Sequence, residues 1–168
     1  MARALIVGCG CRGRALGERL LEQGWAVRGT SREQRGLARI EAAGIEAAKA
    51  DPDLPGTLLE LVADVAVVHW LLGSAVGEPQ LLEAIHGSRL ERLLERLVDT
   101  PVRGFVYEAA GTAPASLRGF GAALVASAGR TWHIPVAFLD ADPSDPAAWT
   151  DAALAATLDL APPAGEPI

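Results

Sequence analysis

Three glycines, Gly8, Gly10 and Gly13, follow the apolar run Leu5-Ile6-Val7 and precede Leu16, Leu20 and Leu21, which recur at helical spacing. A strand that passes through such a loop into a helix has the form of a phosphate-binding turn. Gly8 allows the tight exit from the strand, Gly10 leaves no side chain between the backbone and a pyrophosphate, and Gly13 lets the helix pack closely on the sheet. The start of the helix then offers free N–H groups and a partial positive charge to an anion. The G-x-G-x-x-G spacing, with Cys11 and Arg12 between its last two glycines, points to a dinucleotide here. The alternative is that the glycines serve only a tight turn.

The end of the next strand, Trp25 to Thr30, bears on the choice of dinucleotide. A site for NAD(H) places Asp or Glu there to accept from the ribose 2′-hydroxyl, whereas this chain continues Thr30-Ser31-Arg32. Two hydroxyls and a guanidinium fork suit a 2′-phosphate, so NADP(H) is expected over NAD(H). Arg12 and Arg35 are close enough in sequence to assist, and Glu33 is a nearby competing carboxylate. Asp51, before Pro52, either borders the adenine or makes a turn. His69 and Trp70 fall near the carboxyl end of the run Asp64 to Gly73, where open α/β sheets bind ligands. His69 is a candidate for proton chemistry and Trp70 for packing along the cofactor, with core roles as the alternative for each. Tyr107 and Glu108, at another strand end, complete the candidates for proton supply. Cys9 and Cys11 are too close in sequence for a structural disulfide. They read as small loop fillers, or as thiols open to oxidation at a helix N-terminus.

Holding these residues requires a sheet with its helices. Helix signals run from the glycine loop to Gly24, from Glu33 to Ala43, from Thr57 to Ala63, from Gln80 to Ile85, from Ser88 to Val98, from Ala115 to Ala128 and from Pro146 to about Leu160. Between them lie strand signals at Ile45–Ala50, Asp64–Gly73, Val102–Glu108 and Ile134–Asp140. The stripe Leu90, Leu93, Leu94, Leu97 and Val98 is a core face that could also support a homodimer. The β-α alternation is that of an α/β protein, a doubly wound parallel sheet of six strands in the order 3-2-1-4-5-6, the Rossmann fold. A single dinucleotide-binding domain is expected over residues 1–161, with a frayed tail at 162–168 and no separate substrate domain.

The charge is unevenly placed. Residues 1–50 hold nine Lys and Arg against five Asp and Glu, and the remainder six against sixteen, for a net charge of −6. The basic part coincides with the loop, while the overall sign argues against general nucleic-acid affinity. The amino terminus lacks a signal-peptide pattern and no apolar run approaches a membrane span, so a cytoplasmic protein is expected.

From Arg3 to about Pro143 the chain resembles the extended and atypical short-chain dehydrogenases/reductases, the group that includes nucleotide-sugar epimerases and dehydratases. Asp64 to His69 with Trp70-Leu71-Leu72 is similar to that family's D-x-x-x-H-x-A-A element. Val106-Tyr107-Glu108-Ala109-Ala110 resembles V-Y-x-S-S, and Ile134 to Ala141 resembles I-P-V-x-x-L-R-P. The resemblance implies a nicotinamide dinucleotide and a small-molecule substrate. It also implies a catalytic Ser with a Tyr and a Lys four residues apart, in which the phenol moves the proton and the ammonium lowers its pKa. This chain departs there. Its serine positions are Ala109 and Ala110, and Tyr107 and Lys49, its one Tyr and one Lys, cannot form Tyr-x-x-x-Lys. Two functions remain open: an atypical NADP(H)-dependent oxidoreductase using His69, Tyr107, Glu108 or water, and a non-catalytic module that reports dinucleotide binding through a partner or dimer surface. A structural or partner-binding Rossmann domain without nucleotide is the third alternative.

Overall fold

The computed structural model describes residues 1–161; the expected frayed tail at 162–168 lies outside the described residues. In chain order the elements are β1 (Arg3–Val7), α1 (Cys11–Glu22), β2 (Ala26–Ser31), α2 (Gln34–Ala42), β3 (Glu46–Lys49), α3 (Pro55–Leu59), β4 (Val67–Trp70), α4 (Pro79–Ile85), α5 (Ser88–Leu97), β5 (Gly104–Glu108), α6 (Ala115–Trp132), β6 (Val136–Leu139) and α7 (Pro146–Leu160). The strands form one parallel sheet in the order β3-β2-β1-β4-β5-β6. This is the doubly wound Rossmann fold expected from the alternation of elements.

Burial follows position in the sheet. The inner strands β4 and β5 are buried at every residue, whereas the edge strands β3 and β6 are partly exposed. Period-two alternation sends Leu5, Val7, Val68, Trp70, Phe105 and Tyr107 to one face, against α3 to α6. Ala4, Ile6, Val67 and Val106 go to the other face, against α1, α2 and α7. The stripe Leu90, Leu93, Leu94 and Leu97 is at most 1% exposed. Those leucines are spent on the core, while Val98 of the same stripe is 44% exposed.

α7 is fixed at several points. Asp145 caps its first turn by accepting from the Ala148 amide (3.2 Å), with Pro146 at the first helical position. Asp151 accepts from Arg19 of α1 (2.9 Å). Further along, the Thr157 hydroxyl donates to the Ala153 carbonyl (2.7 Å), leaving its oxygen to accept from His69 Nε2 (2.8 Å). The sequence places the end of α6 at Ala128 and the third helix at Thr57–Ala63, but α6 continues to Trp132 and α3 spans Pro55–Leu59. Pro55 occupies the first-turn position where its missing N–H costs nothing.

Candidate functional site

The chain leaves β1 and β4 toward opposite faces of the sheet, opening a crevice at their carboxyl ends. Gly8 turns out of β1 with φ +83°, and a Cβ on it would run into the Leu71 carbonyl of the loop after β4. At Gly10 a Cβ would meet nothing within 4 Å, so this backbone is open to a ligand. Gly10 is the N-cap of α1 and no side chain caps that helix. Its first N–H groups therefore lack side-chain partners and carry the positive end of the helix dipole. Cys9 is buried, and burial pushes its thiol up to about 12 against the opposing effect of Arg14. It is an inert filler, while Cys11 is exposed.

A cleft of about 300 Å³ opens beside Gly8, Cys9 and Gly10, over the carboxyl ends of β2, β3 and β4. Thr30, Ser31 and Arg32 line it from the end of β2, joined by Arg14 from α1 and by Gly36 and Arg39 from α2. None of the three arginines forms a salt bridge among the described residues. The Ser31 hydroxyl accepts from the Glu33 amide (3.2 Å), which shapes the turn into α2. The opposite wall is apolar and includes Leu72, Ala75, Leu81 and Ile85. Cations on one side and hydrocarbon on the other suit an anionic ligand with a planar apolar part.

Arg14 and Arg39 were not singled out from the sequence, which offered Arg12 and Arg35. Gly36 carried the missing signal. It lies so close to Ser31 that a Cβ would strike the Ser31 hydroxyl, so that helix face meets the end of β2. Arg39, three residues on, shares the face with Gly36 and lines the cleft, whereas Arg35 is not among the cleft residues. Asp51 is not among the cleft residues, although Ala50 and Pro52 are. Its carboxylate accepts from the Asp53 amide (2.9 Å), the turn-making alternative.

On the other side of the glycine loop a smaller cavity of about 90 Å³ is lined by Gly8, Gly10, Cys11, Arg12, Gly13, Leu71, Glu108 and Trp149. Glu108 is 1% exposed. It accepts from the Gly73 amide (2.8 Å) and from the Trp149 indole (3.0 Å). Burial raises its pKa, opposed by Arg12 and by those two donors. The Arg12 guanidinium lies 5.6 Å from the centre of the Trp149 ring, an attractive cation–π contact, and its Nε has no hydrogen-bond partner.

Three sequence candidates stand away from both cavities. His69 is fully buried beneath α7, and burial lowers its pKa to about 4, with the Leu5 carbonyl opposing by favouring the charged ring. Trp70 is fully buried on the opposite face and donates to the Ile85 carbonyl (3.1 Å). Both follow from β4 being an inner strand with helices on both faces. Tyr107 is fully buried as well. His86, which sequence reasoning passed over, donates from Nε2 to the Leu72 carbonyl (3.1 Å), leaving Nδ1 to accept from the Tyr107 hydroxyl (2.7 Å). That hydroxyl also lies 3.1 Å from the Arg118 carbonyl. Burial raises the Tyr107 pKa and lowers that of His86, which keeps both neutral. Of the proposed proton carriers, Glu108 alone borders a cavity beside the loop. Among the described residues no group of three or more His, Cys, Asp or Glu could hold a metal ion, and no helix is long and apolar enough to cross a membrane.

The sheet order, the switch point and the loop at it define a Rossmann fold, and solved structures share it. The chain is similar to serine dehydrogenase from Escherichia coli, with TM-score 0.67 and 16% identity over 90% of this chain and 88% of that one. It is similar to triphenylmethane reductase from Citrobacter sp., with TM-score 0.63 and 19% identity over 83% of this chain and 48% of that one. It also matches that reductase complexed with NADP(H), with TM-score 0.59 and 20% identity over 82% and 48% of the two chains. The chain thus spans about half the length of the reductase. Identity this low makes the likeness one of fold. No protein-family model and no curated protein matches the sequence.

Proposed function

We propose that this chain is an NADP(H)-binding Rossmann protein whose cleft takes the dinucleotide without the family's usual proton-transfer residues. The observation that carries the reading is the cleft of Gly8 and Gly10, walled by Arg14, Arg32 and Arg39 without salt-bridge partners. The residues fit the group. The uncapped start of α1 beside open space at Gly10 suits the pyrophosphate. Arg32 and Arg39 suit a 2′-phosphate, and Leu72, Ala75, Leu81 and Ile85 suit the adenine. Bound NADP(H) would supply hydride chemistry; the chain's own residues supply binding and orientation. The triphenylmethane reductase solved with NADP(H) adds support from a shared fold.

A non-catalytic binding module is favoured by Ala109 and Ala110 at the serine positions and by the burial of Tyr107. Glu108 supports the second reading, an atypical oxidoreductase, because its carboxyl sits beside the glycine loop with a raised pKa. Calorimetric titration with NADPH, NADP, NADH and NAD, repeated on Arg32→Ala, tests the binding claim. The phosphorylated pair is expected to bind more tightly and to lose that advantage in the variant; equal binding of all four would refute the preference. Oxidation of NADPH across carbonyl and imine substrates, abolished in Glu108→Gln, would establish the enzyme reading.

A further inference from the structure

Resting on the NADP(H) reading, we infer that the site recognises the 2′-phosphoadenosine half of its ligand alone. The class bound is then adenosine nucleotides with a 2′-phosphate and a 5′-phosphate, whatever is attached beyond. The two halves of the crevice are built differently. On the β2–β3 side, about 300 Å³ is open, with an apolar wall for a base and guanidinium groups for phosphates. Across the glycine loop, on the β5 side where the nicotinamide riboside of an extended dinucleotide would lie, about 90 Å³ remains. Ligand pockets generally span about 300–1,000 Å³, so the first half reaches that range and the second does not.

Most of the groups that close the second half hold one another in place, with Arg12 Nε left without a hydrogen-bond partner. Glu108 spends one carboxylate oxygen on the Gly73 amide and the other on the Trp149 indole. Arg12 lies over the indole. The loops after β4 and β5 meet backbone to backbone: the Ala113 amide donates to the Gly73 carbonyl (2.9 Å), and a Cβ on Gly111 would collide with that same carbonyl. Arg118 seals the second loop by donating to the Ala109 and Ala113 carbonyls. Trp149 is held in turn by the anchors of α7: Asp145 at its start, Asp151 on Arg19, and Thr157 on His69. With about 90 Å³ beside Glu108 and both of its oxygens engaged, a nicotinamide ring has too little room there and leaves the loop toward solvent. Affinity then depends on the adenosine half and is independent of redox state.

Calorimetry on the intact chain, at one salt concentration, with NADPH, NADP, adenosine 2′,5′-bisphosphate, NADH and nicotinamide mononucleotide tests this. The first three are expected to bind within tenfold of one another, to weaken together in Arg39→Ala, and to be undisturbed by the mononucleotide. A bisphosphate bound more than tenfold more weakly than NADPH, a more than tenfold gap between NADPH and NADP, or competition by the mononucleotide would overturn the inference and leave the NADP(H) reading standing. Failure of NADPH, NADP and the bisphosphate alike would overturn both. Binding of the bisphosphate alone would keep the recognised half and overturn the dinucleotide reading.

Discussion

Replacing His69 by leucine separates a structural ring from a proton carrier. The ring is fully buried, its Nε2–H is committed to Thr157, and its Nδ1 has no partner. Its native pKa of about 4 lies below the ordinary 6.5, so the unfolded chain takes the proton first as the pH falls. Stability from this group is therefore fully present above pH 6.5 and is lost progressively as the pH falls toward 4. At about 1.36 kcal/mol per pH unit, the whole effect is about 3 kcal/mol. The leucine variant lacks this term. Near neutrality the substitution removes an orphaned nitrogen, while the Thr157 hydroxyl keeps its bond to the Ala153 carbonyl. Its stability there is expected within about 1 kcal/mol of the parent. The assay is urea unfolding followed by tryptophan fluorescence across roughly pH 4 to 7.5, the span over which such a group titrates. The parent curve should fall more steeply than the variant curve, by about 3 kcal/mol over the range, with nucleotide affinity unchanged between the two. Parallel curves, or a variant that no longer binds nucleotide while remaining folded, would refute the assignment.

Other substitutions separate binding from folding. Gly10→Asp places an N-cap carboxylate in open space at the start of α1. Thermal melting should show stability unchanged or raised by a few tenths of a kcal/mol, as capping would give, whereas calorimetry should show NADPH affinity lost to repulsion of the pyrophosphate. Arg39→Ala should weaken NADPH by about 10- to 150-fold, the worth of a charged hydrogen bond of about 1.5–3 kcal/mol, and leave NADH within about twofold; equal losses for both would contradict a 2′-phosphate contact. Tyr107→Phe leaves His86 Nδ1 buried without its donor. Urea unfolding should register a loss of about 1–3 kcal/mol, with nucleotide affinity unchanged; a collapse of affinity in a folded variant would return Tyr107 to the site.

The fold was legible because each level of the sequence agreed with the others. Inner strands appear as unbroken apolar runs, glycines and prolines punctuate the helices, and the strand order follows from β-α alternation with the loop after β1. Helix ends were less legible where a glycine lies inside the helix, as with α6, which runs through Gly129 to Trp132. The cleft was legible at Gly8, Gly10 and Thr30-Ser31-Arg32, which are local to single turns. Arg14, Arg39 and Trp149 were not, because their placement depends on which helix face meets the sheet and on an anchored element far along the chain. His69 and Trp70 misled for a related reason: a residue near a strand end is exposed to ligand only if the adjoining loop leaves it uncovered, and here Leu71, Leu72 and α7 cover it.

The most direct measurement is an amide and indole ¹⁵N shift map of the protein titrated with NADPH. Shifts are expected at Gly8, Gly10, Arg14, Ser31, Arg32, Arg39 and Leu81, with the Trp149 indole resonance unmoved. A map centred elsewhere, or no shifts at saturating NADPH, would contradict the account.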